Sequence, residues 1–387
     1  MTDFDEPAET AMLRESVAKV TAEFGPRYYQ ERAARGGRTI ELWQALGDAG
    51  FVGVNLPERY GGGGGGVAQL AVVCEETAAG GCPLLLLLVS SAISGEILSR
   101  HGSEEQQARW LPGLASGREK MVFAITEPDA GSNSHRISTT ATRDGDDWVL
   151  TGTKYYISGV DEAPRMLVVA RTSTEGRSGG DSSDLSLFVV DTNAPGLDRT
   201  PIPVEVGAPE KQFQLHFDAV RVGPDRLVGT AGDGLRLVFS GLNPERIAGA
   251  AICTGIGRYA LAKAAGYARD RQVWGQPIGA HQGVSHPLAA AAIGVELARL
   301  MTEKAAWLHD HDRPAGEASN MAKFAAADAG LGALDAAIQV HGGNGMASDY
   351  RLAHLWGMLR LLRIAPVSRE MILNYVAQHT LGLPRSY

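Results

Sequence analysis

At 387 residues the chain is longer than one hydrophobic core usually serves, so two or three compact units sharing interfaces are expected. Its 44% hydrophobic and 21% charged residues exclude a disordered, fibrous or disulfide-stapled class, and a formal net charge of -8 speaks against nucleic acid or an anionic membrane as a partner. Cys74, Cys82 and Cys253 lack metal-ligand spacing and read as buried, reduced thiols of a cytosolic protein.

The stretch Met1 to Glu9 is acidic and has no basic segment leading into an apolar one, so no signal or transit peptide is expected. Residues 1–120 form an expected helical unit, with apolar residues at helical spacing in Leu42, Leu46 and Phe51, in Ala71, Val72 and Cys74, and in Ile93, Ile97 and Leu98. Pro57, the flexible run Gly61 to Gly66, Gly80-Gly81 and Pro112-Gly113 read as turns between those helices. The longest apolar run, Pro83 to Val89, falls far short of the ~20 residues a membrane span needs and reads as a buried helix.

Over 121–230 the period changes to two, in Ser138–Thr142, Trp148–Leu150, Met166–Val169, Leu185–Val190 and Phe213–Phe217. Asp144-Gly145-Asp146 suits a hairpin turn, and the polar run Ser173 to Ser183 suits a loop. Helical spacing returns over 231–387, in segments near Gly232–Trp274, His281–Asp310, Gly316–Val340 and Asp349–Leu381, as a four-helix bundle requires. The fold class is thus α+β: a helical unit, a β unit and a helical bundle. No βαβ alternation or Gly-x-Gly-x-x-Gly supports a nicotinamide-binding domain.

Four clusters carry candidate chemistry. Phe123 to Asn133 places the hydroxyls of Thr126 and Ser132 and free amides near Gly131 where helices give way to strands; it reads equally as a capped turn or as the edge of a ligand site. Lys154 to Gly159 sets Tyr156 two residues before Ser158 on one strand face, either as a ring stacking on a flat cofactor or as core tyrosine packing. Arg269 to Ile278, followed by Gln282, brings Arg271 and Trp274 to a helix end, where arginine suits a pyrophosphate. Gln339 to Met346 is a helix end whose Gly342 and Gly343 permit close approach, and its His341 reads as structural. No metal site is expected.

In this order, and with Pro57-Glu58-Arg59-Tyr60-Gly61-Gly62 and the stretch from Gly102-Ser103-Glu104-Glu105-Gln106 to Leu111-Pro112 ahead of them, the clusters closely resemble the acyl-CoA dehydrogenase family over nearly the whole chain. The resemblance implies FAD between the middle unit and the C-terminal bundle. Thr126 and Ser132 would then contact the flavin or the thioester, while Tyr156 and Ser158, in place of the family's usual tryptophan and threonine, pack on and bond the isoalloxazine. Arg271, Trp274, Gln282, Gln339, Gly342 and Gly343 would reach the FAD of a neighbouring subunit in a homodimer or a dimer-of-dimers homotetramer. An acyl-CoA substrate and an electron-transfer flavoprotein as acceptor are implied with it.

Such a reaction requires a carboxylate to take the α-proton while a hydride leaves the β-carbon. Many family members carry it in a Tyr-Glu-Gly-Thr segment, but Arg363-Ile364-Ala365-Pro366-Val367-Ser368 has none. Members resembling isovaleryl-CoA and long-chain acyl-CoA dehydrogenases carry it before an arginine on a C-terminal-domain helix, a position matched here by Glu245-Arg246. Glu245 is therefore the candidate base; the other reading makes Pro244 and Glu245 ordinary first-turn helix residues. Burial beside an acyl chain is expected to raise its pKa toward neutrality. Arg246 orients Glu245, holds the ligand or forms a structural ion pair, and Gly249 and Ala250, about one turn away, leave room for an acyl chain. Three other readings fit the scaffold: a flavin oxygenase or oxidase, a structural subunit of a mixed oligomer, and a dehydrogenase of a carrier-protein thioester.

Overall fold

Helices α1 (Ala8–Ala22), α2 (Gly25–Ala34), α3 (Ile40–Asp48), α4 (Val67–Ala79), α5 (Glu96–His101) and α6 (Glu104–Ala115) open the chain in the computed structural model, which describes residues 6–172 and 184–385. The loop expected over Ser173–Ser183 and the chain start through Asp5 lie outside the described residues. Ser103 caps α6 by a reciprocal pair: its hydroxyl accepts from the Gln106 amide at 3.2 Å, and Gln106 Oε1 accepts from the Ser103 amide at 3.0 Å. Gln106 Nε2 then donates to the carbonyls of Asp225 and Leu227, both at 2.8 Å, which fastens α6 to the β unit. Pro112 lies inside α6, so the expected turn at Pro112-Gly113 is corrected.

The apolar run Pro83–Val89 is buried, and it leads into a nine-residue π-helical stretch, Leu87–Gly95. Serines serve this wide coil: Ser91 Oγ donates to Val52 O at 2.8 Å, and Ser90 Oγ accepts from Met121 N at 3.0 Å.

The glycine run is a second correction, because it is tightly held where flexibility was expected. Gly63 N donates to Gly53 O at 3.0 Å and Gly65 N to Val54 O at 2.9 Å. A side chain at Gly66 would collide with the Asp310 carboxylate, which caps α4 by accepting from Val67 N at 2.7 Å and Ala68 N at 2.9 Å. Glycine is needed there for close approach, since a carboxylate 243 residues away must reach the helix amides. Gly66→Ala is expected to cost about 1–3 kcal/mol of stability, read from the denaturant midpoint.

The sheet holds β1 (Met121–Ala124), β2 (Thr140–Asp144), β3 (Asp147–Ser158), β4 (Arg165–Thr172), β5 (Leu185–Asp191), β6 (Leu197–Ile202), β7 (Gln212–Val222) and β8 (Leu227–Val228). Its order is β6-β7-β3-β2-β4-β5-β8, with β1 parallel beside β4. The expected hairpin joins β2 to β3 around Gly145 at φ 63°.

The C-terminal bundle comprises α7 (Gly234–Asp270), α8 (Gln282–Asp310), α9 (Gly316–His341) and a fourth, interrupted run. That run was expected as one helix over Asp349–Leu381. It consists instead of α11 (Trp356–Ile364), α12 (Arg369–Tyr375) and short turns, after a single turn α10 (Gly343–Met346). Pro366 disfavours helical geometry at Ala365, which is extended at ψ 156°, so α11 stops there.

Candidate active site

The first two clusters are locked together from below. Glu127, buried after β1, accepts from Ser138 N at 2.7 Å, Ser138 Oγ at 2.8 Å, Thr139 N at 2.9 Å and Lys154 Nζ at 2.9 Å. Lys154, 0% exposed on β3, also donates to Ile125 O at 3.0 Å. Burial alone would raise the Glu127 pKa, but the Lys154 charge and these donors outweigh it and hold the carboxyl at about 2. Tyr155 N donates to Thr126 O at 2.9 Å, so the Thr126 turn is bonded directly to the strand that carries Tyr156.

At that point β3 slips against β7 between Lys154 and Ile157. The slip accompanies a positive φ of 56° at Tyr156, a conformation that costs a bulky residue about 1–2 kcal/mol. The strain turns its ring outward, 53% exposed, against the edge of Tyr155. Beside it Ile157 is buried and Ser158 half-buried, so Tyr156, inside the slip, is the exposed member of the group. Ser158 Oγ donates to Gln212 Oε1 at 2.9 Å, Ser132 is exposed, and Gly131 has open space where a side chain would stand. A free ring face, a fixed hydroxyl and unobstructed backbone fit a flat, polar-edged ring such as a flavin.

The apolar run joins this half to the other. Next to Ser158, a side chain at Gly159 would come within 2.7 Å of Leu86, and two residues along the run Leu88 stands 3.3 Å from the Cβ position of Gly249 on α7. Gly249 therefore marks a packed contact with Leu88, and with Leu362 at 3.6 Å, where room for a chain was expected.

One turn before Gly249 stands Glu245. It lies well inside the 37-residue helix α7, as does Pro244, so their reading as first-turn residues is corrected. Proline there removes a helix hydrogen bond immediately before Glu245. Glu245 Oε2 is buried with no hydrogen-bond partner. Burial pushes its pKa up to about 8, against the charges of Arg246 and Lys323, which favour the carboxylate. Arg246 is buried too; its Nη2 donates to Asn243 Oδ1 at 2.5 Å and its Nε has no partner. Lys323 on α9 donates to the carbonyls of Arg363 at 3.0 Å and Val367 at 2.5 Å, across the segment that lacks a carboxylate.

The remaining candidates gather at the far end of α7. Arg271 and Trp274 sit on the turn carrying β9 (Gln272–Val273) and β10 (Gln276–Pro277); Trp274 has φ 53° and is 88% exposed. Gln282, Gln339, Gly342 and Gly343 are exposed as well, and both glycines have open space where a side chain would stand. Tyr267 ties this group by stacking on His341 with centroids 4.3 Å apart and by accepting from Asn344 Nδ2 at 3.2 Å. No hydrogen bond among the described residues joins it to Thr126, Ser132, Tyr156 or Ser158. Among the described residues no three His, Cys, Asp or Glu side chains cluster as a metal ion requires, and no helix is long and apolar enough to cross a membrane.

Sequence reasoning quoted Glu127 and Lys154 only as members of their clusters and missed Lys323. The available signals were a lysine at an inward position of a strand and a lone lysine amid the alanines of α9.

The chain matches three family models in series: the acyl-CoA dehydrogenase N-terminal domain over residues 7–118, the middle domain over 122–220 and the C-terminal domain over 232–381. It is 54% identical to the acyl-CoA dehydrogenase FadE12 of Mycobacterium tuberculosis, covering 100% of this chain and 99% of that protein. A glutaryl-coenzyme A dehydrogenase solved with glutaryl-CoA superposes with TM-score 0.93 at 29% identity, over 100% of this chain and 98% of that one. Butyryl-CoA dehydrogenase from Megasphaera elsdenii superposes with TM-score 0.92 at 26% identity, over 98% and 100% respectively.

Proposed function

The chain belongs to the acyl-CoA dehydrogenase family, and from that premise we propose that Glu245 is the base of an FAD-dependent α,β-dehydrogenation of an acyl-CoA. The observation that carries this is the buried, unpartnered Oε2 of Glu245, its proton affinity raised into the range where a base changes state. The rival segment at Arg363–Ser368 contains no group able to take a proton.

FAD supplies the hydride acceptor when bound. The chain's own residues divide the remaining work. Tyr156 and Ser158 offer a face and a hydroxyl to the ring, Thr126 and Ser132 line its edge, and the Glu127–Lys154 pair fixes both segments. Glu245 takes the α-proton at Oε2 and is neutral afterwards, which its burial favours. Arg246 opposes that burial with its charge, and its buried Nε is left without a partner. Enolate charge on the thioester needs donors close to the carbonyl, for which the amides near Thr126 and Gly131 are candidates.

Arg271, Trp274, Gln282, Gln339, Gly342 and Gly343 are exposed, Trp274 with most of its ring uncovered. They suit the FAD of a neighbouring copy. On α8, Ile293, Leu297, Leu300 and Trp307 leave an apolar stripe uncovered at helical spacing, which supports further assembly as a dimer of dimers. Leu297→Glu is expected to shift the oligomer to smaller species by light scattering and to lower FAD content with it. The electron acceptor we assign is an electron-transfer flavoprotein.

Anaerobic mixing with straight and branched acyl-CoAs tests the whole reading. Bleaching of the oxidised flavin by at least one of them is expected; a flavin that none bleaches would overturn it.

A further inference from the structure

We propose that Lys323 is a positioning residue for Glu245: it pins the Arg363–Val367 turn, which follows Leu362 where that residue packs on Gly249 one turn from the base, and it sets a positive charge against the carboxyl. This rests on the reading of Glu245 above. Lys323 is 2% exposed, and an ammonium in such a place costs several kcal/mol unless its donors are met. The acceptors it has are main-chain carbonyls, Arg363 O at 3.0 Å and Val367 O at 2.5 Å, one at each end of the Ile364–Pro366 turn. Neither is a carboxylate. Its charge is therefore left to act on its surroundings.

Those surroundings are specific. From α7 they present Glu245, Arg246 and Cys253, and from α12 Glu370, with Tyr375 acting on Arg246. Arg363 and Arg369 are both taken up by Asp328 on α9 itself, at 2.7 and 3.3 Å. Arg246 and Lys323 are thus the cations whose charge reaches Glu245. Burial pulls Lys323 down to about 8, the value to which burial raises Glu245, so the lysine is charged on the acid side, where Glu245 begins to ionise, and the two groups titrate as an interacting pair.

The consequence is a base balanced from two sides: burial favours the protonated carboxyl, and the lysine keeps a usable fraction ionised. Removing the lysine charge raises the proton affinity of Glu245 and starves the reaction of base on the acid side.

The test is flavin reduction by rapid anaerobic mixing over roughly pH 6 to 9, where a general base near neutrality titrates. The probe is the acyl-CoA that bleaches wild-type holoenzyme fastest in a panel from butyryl-CoA to palmitoyl-CoA. In Lys323→Met and Lys323→Gln the acid limb is expected to move up by about one unit. Reduction near neutrality then falls about tenfold and recovers on the alkaline side. A lowered Tm with the limb unmoved would make Lys323 structural only and overturn the proposal. If the Met variant holds no FAD, the Gln variant, which keeps a donor for the carbonyls, decides; if neither holds FAD, the lysine serves folding alone and the proposal fails. Glu245→Gln measured alongside separates the two readings: wild-type reduction in that variant means the base lies elsewhere, whatever the lysine variants do.

Discussion

Glu245→Gln is expected to slow acyl-CoA-dependent flavin reduction by about 10²–10⁴-fold while leaving FAD bound, because the amide matches the side chain in size and cannot take a proton. In the wild type, the rate should rise with pH and level off above about 8, the value to which burial raises the carboxyl. The same group gives a stability signature of opposite sense. An acid whose folded pKa exceeds its unfolded value binds more protons when folded, so wild-type stability falls as pH rises from the ordinary glutamate value of 4.5 to about 8. Glu245→Gln removes that loss. Denaturant midpoints of the two proteins should therefore diverge across this window, with the variant the more stable on the alkaline side. Equal midpoints throughout would show that the carboxyl is not desolvated and would remove the physical basis for its role as base.

Lys154→Met is expected to destabilise the fold by about 3–5 kcal/mol and to strip FAD from the purified protein, because it leaves the Glu127 carboxylate buried without its cation. The pair also bonds Ile125 O and three donors at Ser138 and Thr139, so its loss frees the Thr126 turn and the Tyr156 bulge together. Here the folded pKa is depressed, so the stabilisation from Glu127 is present above the ordinary glutamate value of 4.5 and is lost as pH falls toward about 2. Lys154→Met should flatten that acid dependence. FAD content after gel filtration and the acid-unfolding midpoint check both effects, and a variant with wild-type FAD content would show that the pair does not organise the cleft.

Much of the fold was legible in the sequence. The change of hydrophobic period near residue 121 and its return near 231 set out helices, sheet and helices, because a half-buried strand repeats every two residues and a helix every 3.6. The clusters were legible as candidates only, since each also suited a capped turn or core packing, and it was their order along the chain that resembled a flavoprotein family. The reading failed where proline and glycine were taken as breaks. Pro112 and Pro244 sit inside helices whose packing outweighs the lost hydrogen bond, and Pro366 breaks a segment whose periodicity predicted continuity. The run Gly61–Gly66 was read for backbone freedom, whereas those glycines are present because side chains would collide with Leu56, Val54 and Asp310.

The sequence by itself determined the order of helices, sheet and helices, and through its resemblance to the acyl-CoA dehydrogenase family it implied the class of chemistry and the candidate base. Only the tertiary structure decided how that base is poised. The charge of Lys323 on Glu245, the bonds of Lys323 to Arg363 and Val367 and the buried Glu127–Lys154 pair join groups 78, 40 to 44 and 27 positions apart in the chain. Proton affinity depends on what surrounds a group in space, and linear spacing carries no record of that.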